Sequence, residues 1–327
     1  MTLDALEIEM LHPNKDQTLA ALTEGAMLKG IVAKASGPLF ENQVFYLSRG
    51  KRHWIMNGEW FSEMGFRWPE DVQTISDESL LTYLPGQTAT RRVNWHTTPI
   101  TNVAEAREAA ASSCRGTGLE IGAGGNPFPV PLDCHVAYGD MYTYEELIQN
   151  AYPGQPLYSI VAPSIKTDLD SLKNVCDDSL DFIVACHVIE HTKNPIGSIV
   201  NAYSKLRKGG HLVLTIPDKE RTFDRNRAVT TLEHLVEDYC NPDPERDKEH
   251  YRDFFANAEN FAVPPDQLEE KWQKEWREDY SIHFHTWTYE SFGTMVKWVR
   301  DNIAHYSDQW AHPCLNDGIE FYYTLSK

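Results

Sequence analysis

No apolar run in this 327-residue sequence approaches the roughly 20 residues that a membrane-spanning helix needs. The stretch from Met1 to Gln17 has neither a basic head nor a continuous apolar core, so it does not read as a secretory signal. Cysteine is sparse. Cys114, Cys134, Cys176, Cys186, Cys240 and Cys314 are far apart and form no C-x-x-C pair, a pattern that suits free thiols in a reducing cytoplasm better than a disulfide frame or a zinc knuckle. Positive charge is in deficit: Lys plus Arg is 30 against 48 for Asp plus Glu, a formal net charge of −18. A field of that sign repels phosphate backbones and anionic lipid, so no nucleic-acid or membrane-surface partner is expected. Internal repeats and low-complexity tracts are absent. What is present is ordinary globular material, 41% hydrophobic and 24% charged, in a chain long enough to bury a large core.

Residues 1–25 read as a polar lead with a short helix around Gln17–Leu22. Residues 26–92 have a β-rich texture. Gln43–Leu47 and His53–Met56, separated by Ser-Arg-Gly-Lys-Arg, predict a hairpin, followed by Trp60–Met64, Trp68 and a second turn at Pro85-Gly86. The order Tyr-Leu…Gly-Lys-Arg…Trp-Ile…Gly-Phe-x-Trp resembles a small accessory module found beside bacterial glycan-related enzymes. Its aromatic residues either stack on sugar rings or form the core of a small domain.

From residue 93 the pattern becomes strand–helix alternation, which implies parallel βαβ units. A helix over Val103–Ser113 leads to a strand at Gly118–Ile121. A second strand is expected at Val136–Tyr138, a helix at Tyr144–Asn150, and a third strand at Ser159–Ala162 or in the segment ending at Asp168. Leu180–Cys186 is a strongly apolar fourth strand. Ile196–Leu206 has helical spacing closed by Gly209-Gly210, and His211–Ile216 is a fifth strand. A charged insertion fills about 218–284. A helix at Tyr289–Arg300 and two β segments, about His305–Trp310 and Ile319–Leu325, finish the chain.

The run Leu119-Glu-Ile-Gly-Ala-Gly-Gly-Asn-Pro127 ends a strand in a glycine-rich turn, where backbone can approach a ligand that a side chain would obstruct. A dinucleotide fingerprint fits at Gly122 and Gly124 but fails at Pro127. With an acid at Glu120, two positions before the first glycine, the run resembles the first motif of class I S-adenosylmethionine-dependent methyltransferases, with Asn126 in place of the last glycine. Asp140 lies twenty residues beyond Glu120, after the second strand, where an acid can accept both ribose hydroxyls. The resemblance further implies Asp168 near the adenine amino group, with Leu169 packed on the ring. Asp178 to His191 resembles the fourth-strand motif of these enzymes, and Leu206-Arg-Lys-Gly-Gly-His211 their turn into strand five, so the likeness spans about residues 115–217.

His187-Val-Ile-Glu190-His191 also spells H-x-x-E-H, an inverted zinc-protease pattern. It begins directly after a buried strand, at a cofactor-facing loop, so the expectation is that His187 closes over the adenosyl group while Glu190 or His191 hydrogen-bonds locally. Beyond Pro217, the Pro-Asp-Lys…Thr-Phe-Asp…His…His-x-His-x-Trp series resembles a bacterial subgroup of the same enzymes. Asp218, Arg225, His234, His283 and His285 are the polar groups placed to meet an acceptor, and a neutral imidazole is a suitable base for a hydroxyl or amine. H-x-H puts both histidines on one strand face, so a metal site with His234 or His250 is the alternative, and hydrogen-bonding the lid to the core is a third. Trp272 and Trp276, four apart, predict a helix packing stripe.

The combined expectation is an α/β, Rossmann-like, doubly wound seven-stranded sheet, mostly parallel with an antiparallel last strand. It carries a β-rich module at 26–92 and a helical insertion after strand five, within a domain spanning 93–327. The implied activity is S-adenosylmethionine-dependent methyl transfer to a small molecule, sugar or glycan. His187, His234, His283, His285 and Asp218 are the catalytic candidates. Glu120, Gly122, Gly124, Asp140, Asp168, Leu169 and His187 are the cofactor candidates, and no metal is assigned. A non-catalytic adenosyl-binding protein, or a metal-dependent hydrolase or lyase built on His187, His191, His234 and His285, are the alternatives. The motifs leave the methylated atom and the oligomeric state open.

Overall fold

Ile31–Ala35 (β1), Val44–Ser48 (β2) and Lys51–Trp54 (β3) form an antiparallel meander. Arg49 and Gly50 join β2 to β3 with φ of 51° and 73°, the left-handed pair that a two-residue hairpin requires and the reason a glycine closes it. Glu59–Glu63 (α1), Val72–Ile75 (β4), Asp77–Leu81 (α2) and Leu84–Pro85 (β5) complete a five-stranded sheet of order β4-β1-β2-β3-β5. The computed structural model describes residues 30–41, 43–56, 58–95, 97–154, 160–306 and 308–327. The expected lead at 1–25 and its helix lie outside them.

The aromatic residues of this first sheet are mainly core. Trp60 is fully buried, stacked on Phe66 at 5.7 Å and tilted against Tyr46 at 5.2 Å. Trp68, 53% exposed, is the exception. The sheet is tied to the rest of the chain by Thr88 Oγ1, which donates to the Pro127 carbonyl at 2.9 Å. Arg91 adds to this, bridging Glu63 at 3.2 Å and Glu108 at 3.3 Å.

The larger sheet follows, with strands and helices alternating only in part: Val103–Ala111 (α3), Thr117–Ile121 (β6), His135–Asp140 (β7), Tyr144–Glu146 (α4, continuing as a π-helical turn over Leu147–Ala151), Ile165–Lys166 (β8), Leu180–Cys186 (β9), Pro195–Lys205 (α5) and Leu206–Pro217 (β10). Leu232–Cys240 (α6), Pro244–Asn257 (α7), Pro265–Arg277 (α8), Tyr289–Asn302 (α9), Asp308–His312 (β11) and Glu320–Ser326 (β12) end the chain. The seven strands run β11-β12-β10-β9-β6-β7-β8. All are parallel except β12, which is antiparallel to both of its neighbours. The antiparallel last strand is as expected, and the two late β segments together close one end of the sheet, β12 inside and β11 on the edge.

Of the two places expected for the third strand the second is occupied, and one helix boundary differs from expectation. The third strand is Ile165–Lys166, in the segment ending at Asp168; Ile160–Ala162 are not in a strand, and Ser159 lies outside the described residues. Gly209-Gly210 does not cap the helix. Leu206 already pairs with Leu180, and the ladder resumes at His211 and Phe182 after a shift in register. Gly209, at φ 80°, makes the bulge that this shift needs.

Leu119, Ile121, Ile183, Ala185, Leu212 and Leu214 are all buried in one core, and β9 is apolar throughout its middle because helices cover both faces of a parallel sheet. The order of strand addition reverses between β6 and β9, with β7 and β8 on one side and β10 on the other, a switch point that opens a crevice at the strands' carboxyl ends. Past β10, α7 and α8 pack around Tyr251, Phe254 and Phe255, with Trp272 and Trp276 as the expected packing stripe. No helix among the described residues is long and apolar enough to cross a membrane.

Candidate active site

The crevice begins where β6 ends. Gly122 and Gly124 have φ of 69° and 53°, and a Cβ on Gly124 would stand 2.1 Å from the Tyr152 hydroxyl. Asn126, by contrast, is absent from the left-handed residues, so the position where the family pattern has its last glycine makes no demand for one. Glu120 is 1% exposed. Its Oε1 accepts the Phe128 N–H at 2.8 Å, and its Oε2 has no partner. Burial pushes its carboxyl up to about 8, against the pull of that hydrogen bond and of Arg107.

A hollow of about 550 Å³ lies over the ends of β6, β7 and β8, lined by Gly122, Asp140, Asp168, Leu169, His187 and His191 among others. Asp140 Oδ1 accepts the Tyr142 N–H at 2.9 Å, and burial raises its pKa. Asp168 Oδ1 accepts from the Ser171 N–H at 2.7 Å and its hydroxyl at 3.0 Å, a local turn that aims the short loop after β8. Leu169 is buried beside it. A second hollow of about 440 Å³ is lined by Arg107, Glu120, Asn126, Cys186 and Glu320. Gly122, Tyr152 and His187 line both.

His187, at φ 53°, closes the end of β9. Its Nε2 lies 2.7 Å from Glu320 Oε2 on β12, and its Nδ1 is 3.9 Å from Glu190 Oε1. Arg107 from α3 grips Glu320 with two bonds of 2.7 Å, and the Tyr322 hydroxyl donates to it at 2.7 Å. Burial would raise the Glu320 carboxyl, but Arg107 and His187 hold it down at about 2. Burial would lower His187, yet Glu320 and Glu190 raise it above its ordinary value. Neither Glu320 nor Arg107 stands out in the sequence: one is an acid within a β segment, the other an ordinary helix cation.

The remaining histidines separate into two groups. His283 Nδ1 pairs with Asp224 Oδ2 at 2.6 Å, Asp224 is held by Arg227 at 2.8 Å, and His283 Nε2 is 3.9 Å from Glu190 Oε1. Both Glu190 oxygens are buried without a hydrogen bond. His191, expected to bond locally, instead makes a long-range contact, its Nδ1 lying 2.9 Å from the Ile282 carbonyl, and it lines the larger hollow. His234 and His285 sit elsewhere, beside His250, and line neither hollow. Asp218 also lines neither: its Oδ1 accepts the Glu220 N–H at 2.9 Å, and its backbone bridges to Trp287. The acid that reaches a histidine from this segment is Asp224, six residues on.

A family model described as a methyltransferase domain matches residues 96–297. No curated protein matches the chain. Among solved structures, an S-adenosylmethionine-dependent methyltransferase of Thermotoga maritima is 17% identical, covering 68% of this chain and 86% of that one at a TM-score of 0.36. Another, from Mesorhizobium loti, is 12% identical over 69% of this chain and 99% of that one, with a TM-score of 0.38. An arsenic(III) S-adenosylmethionine methyltransferase of Chlamydomonas reinhardtii is 13% identical over 67% and 64%, at 0.31. Scores of this size add nothing to the family match, which spans more than half of the sequence.

Proposed function

Because this chain belongs to the methyltransferase-domain family and is an S-adenosylmethionine-dependent methyltransferase, we propose that it methylates a hydroxyl or amine on a small molecule, sugar or glycan. The observation that carries this reading is the junction of the two hollows at His187, Gly122 and Tyr152. Asp140 and Asp168 offer the carboxylates that ribose hydroxyls and an adenine amino group need. The orphaned Glu120 Oε2 suits an ammonium, and the left-handed Gly122 and Gly124 leave a cradle that a side chain would fill. These features fit the cofactor, which when bound supplies a methyl group on a positively charged sulfur.

His187 is the base in this proposal. Its Nε2–H is committed to Glu320, which leaves Nδ1 as the nitrogen that takes the acceptor's proton. Glu320, fixed by Arg107 and Tyr322, then stabilises the imidazolium. His191 lines the larger hollow and positions the acceptor, backed by His283, which packs edge-on against it at 4.7 Å and is held by Asp224. Residues 218–284 act as a substrate lid, a reading supported by Asp279, Ser281 and Phe284 in the wall of the larger hollow. Residues 26–92 form a separate accessory module on a domain spanning 93–327. The net charge of −18 favours a small acceptor over DNA or RNA, and six widely spaced thiols favour the cytoplasm.

Calorimetric titration with S-adenosylmethionine and S-adenosylhomocysteine, beside Asp140→Ala, tests the pocket. The variant should bind about 10- to 100-fold more weakly, the worth of hydrogen bonds to a charged group. A labelled-methyl screen of sugar nucleotides, small amines and nucleic acids tests the acceptor. Preferential labelling of DNA or RNA sinks the small-acceptor reading.

A further inference from the structure

Away from both hollows, four side chains from three parts of the chain converge. His234 and Asp238 lie four residues apart on α6, hence on one helix face. His250 comes from α7, and His285 from the extended segment before α9. His234 Nε2 is 3.1 Å from His250 Nε2 and 3.0 Å from Asp238 Oδ2, and His285 Nε2 is 3.9 Å from that oxygen. One ligand atom from each of the four falls within 4.8 Å of all the others. Asp238, His250 and His285 are buried, and the His234 side chain is 32% exposed.

The cluster lacks internal satisfaction. Two imidazole Nε2 atoms face each other, and at most one hydrogen can lie between neutral rings. Asp238 Oδ2 has only the His234 Nε2 contact at 3.0 Å, which is not aligned as a hydrogen bond, and His285 Nδ1, on a ring that is 1% exposed, has no partner. Orphaned groups of this kind cost about 1–3 kcal/mol each unless something answers them. A water can donate only two hydrogens, whereas a cation accepts a lone pair from every group at once. The outer atoms are already held, as around metal ligands: Asp238 Oδ1 accepts from Arg246 Nη1 at 2.7 Å, and His285 Nε2 faces the Lys193 carbonyl at 3.3 Å.

We propose that His234, Asp238, His250 and His285 form a structural site for one divalent transition-metal ion. Three nitrogens and one carboxylate oxygen are a tetrahedral set, which suits zinc best. Four protein ligands leave no open position, so the ion is structural. It ties α6 and α7 to the segment that carries Phe284, and through His285 to Lys193; Phe284 and Lys193 both line the larger hollow. The site thus buttresses the cofactor wall without touching the chemistry, and it stands whether or not the methyl-transfer reading holds.

Elemental analysis of the full chain as purified, then titration of chelator-stripped protein with zinc alone, tests it. The expected result is about one zinc per chain, a melting temperature that falls on stripping and recovers on titration, and the intense visible absorption of tetrahedral cobalt when cobalt replaces zinc. His250→Ala should abolish binding. Arg246→Ala, which leaves every ligand in place, should weaken binding about 10- to 100-fold and keeps the test valid if His250→Ala fails to fold. Stripped, folded protein that takes up no zinc and shows no thermal shift overturns the site. So does zinc that persists in His250→Ala, or that is lost only in His191→Ala.

Discussion

Glu320 and His187 stand 133 residues apart in sequence, yet Oε2 of one lies 2.7 Å from Nε2 of the other. This contact fixes which imidazole nitrogen is free and raises the basicity of that nitrogen. Catalysis needs His187 neutral, so turnover should rise with pH and level off above the ordinary imidazole value of 6.5. Glu320→Gln removes the charge that favours the imidazolium. Its rising limb should move to lower pH, with turnover on the plateau reduced on the order of 10²-fold. A limb that stays put in the variant means that His187 is not the titrating base.

The same carboxylate sets an acid limit on stability. Its folded-state value of about 2 lies below its ordinary 4.5, so its contribution is complete above about pH 4.5 and disappears as pH falls toward 2. At pH 7, Glu320→Gln leaves Arg107 uncompensated in the interior and should cost about 3 kcal/mol in urea unfolding. The gap to the parent protein should close between about pH 4.5 and 2. A gap that is constant across that window contradicts the ion-pair account.

Glu120 titrates the other way. Burial holds its carboxyl at about 8, so near neutrality the free pocket carries it protonated, and binding an ammonium must expel that proton. Affinity for S-adenosylhomocysteine should therefore tighten from about pH 5.5 to 7.5, by at most tenfold per unit. The rise should end near pH 8, above which Glu120 is already ionised in the free pocket and has no proton to expel. In Glu120→Gln the profile should be flat through this window. Calorimetry in buffers of differing ionisation enthalpy reads the released proton directly, and an equal release in the variant removes Glu120 from the role.

Much of the sheet was legible because its signals are local. The apolar run Leu180–Cys186 is β9 to the residue, and the glycine turn and the acids after β7 and β8 sit one strand-end apart in space as they do in register. What could not be read depends on distant pairing. Gly209-Gly210 looks like a helix terminus until Leu206 is seen to pair with Leu180. Asp218 looks well placed after β10, yet its own backbone turn consumes it, while Asp224 reaches His283. Glu320 meets His187 only because β12 inserts between β10 and β11, and no local pattern announces that. The histidines formed one group in sequence and two in space, since the chain between α6 and α9 folds back on itself before returning to the sheet.

Strain and ligand approach can be separated with two glycines of nearly the same conformation. Gly122 has φ 69° and Gly50 has φ 73°. A Cβ at Gly50 meets nothing within 4 Å, whereas at Gly122 it would stand 3.0 Å from Val188 Cγ2, in a turn that lines both hollows. Alanine should cost each position about 1–2 kcal/mol for its left-handed backbone, which predicts similar losses in melting temperature. Only Gly122→Ala should also lose cofactor affinity, by about tenfold or more, because its methyl takes space that the ligand needs against the backbone. Gly50→Ala, in the hairpin of the other sheet, should bind as the parent does. If both variants weaken binding alike, the loss is general destabilisation, and the turn after β6 is not where the cofactor comes close to the chain.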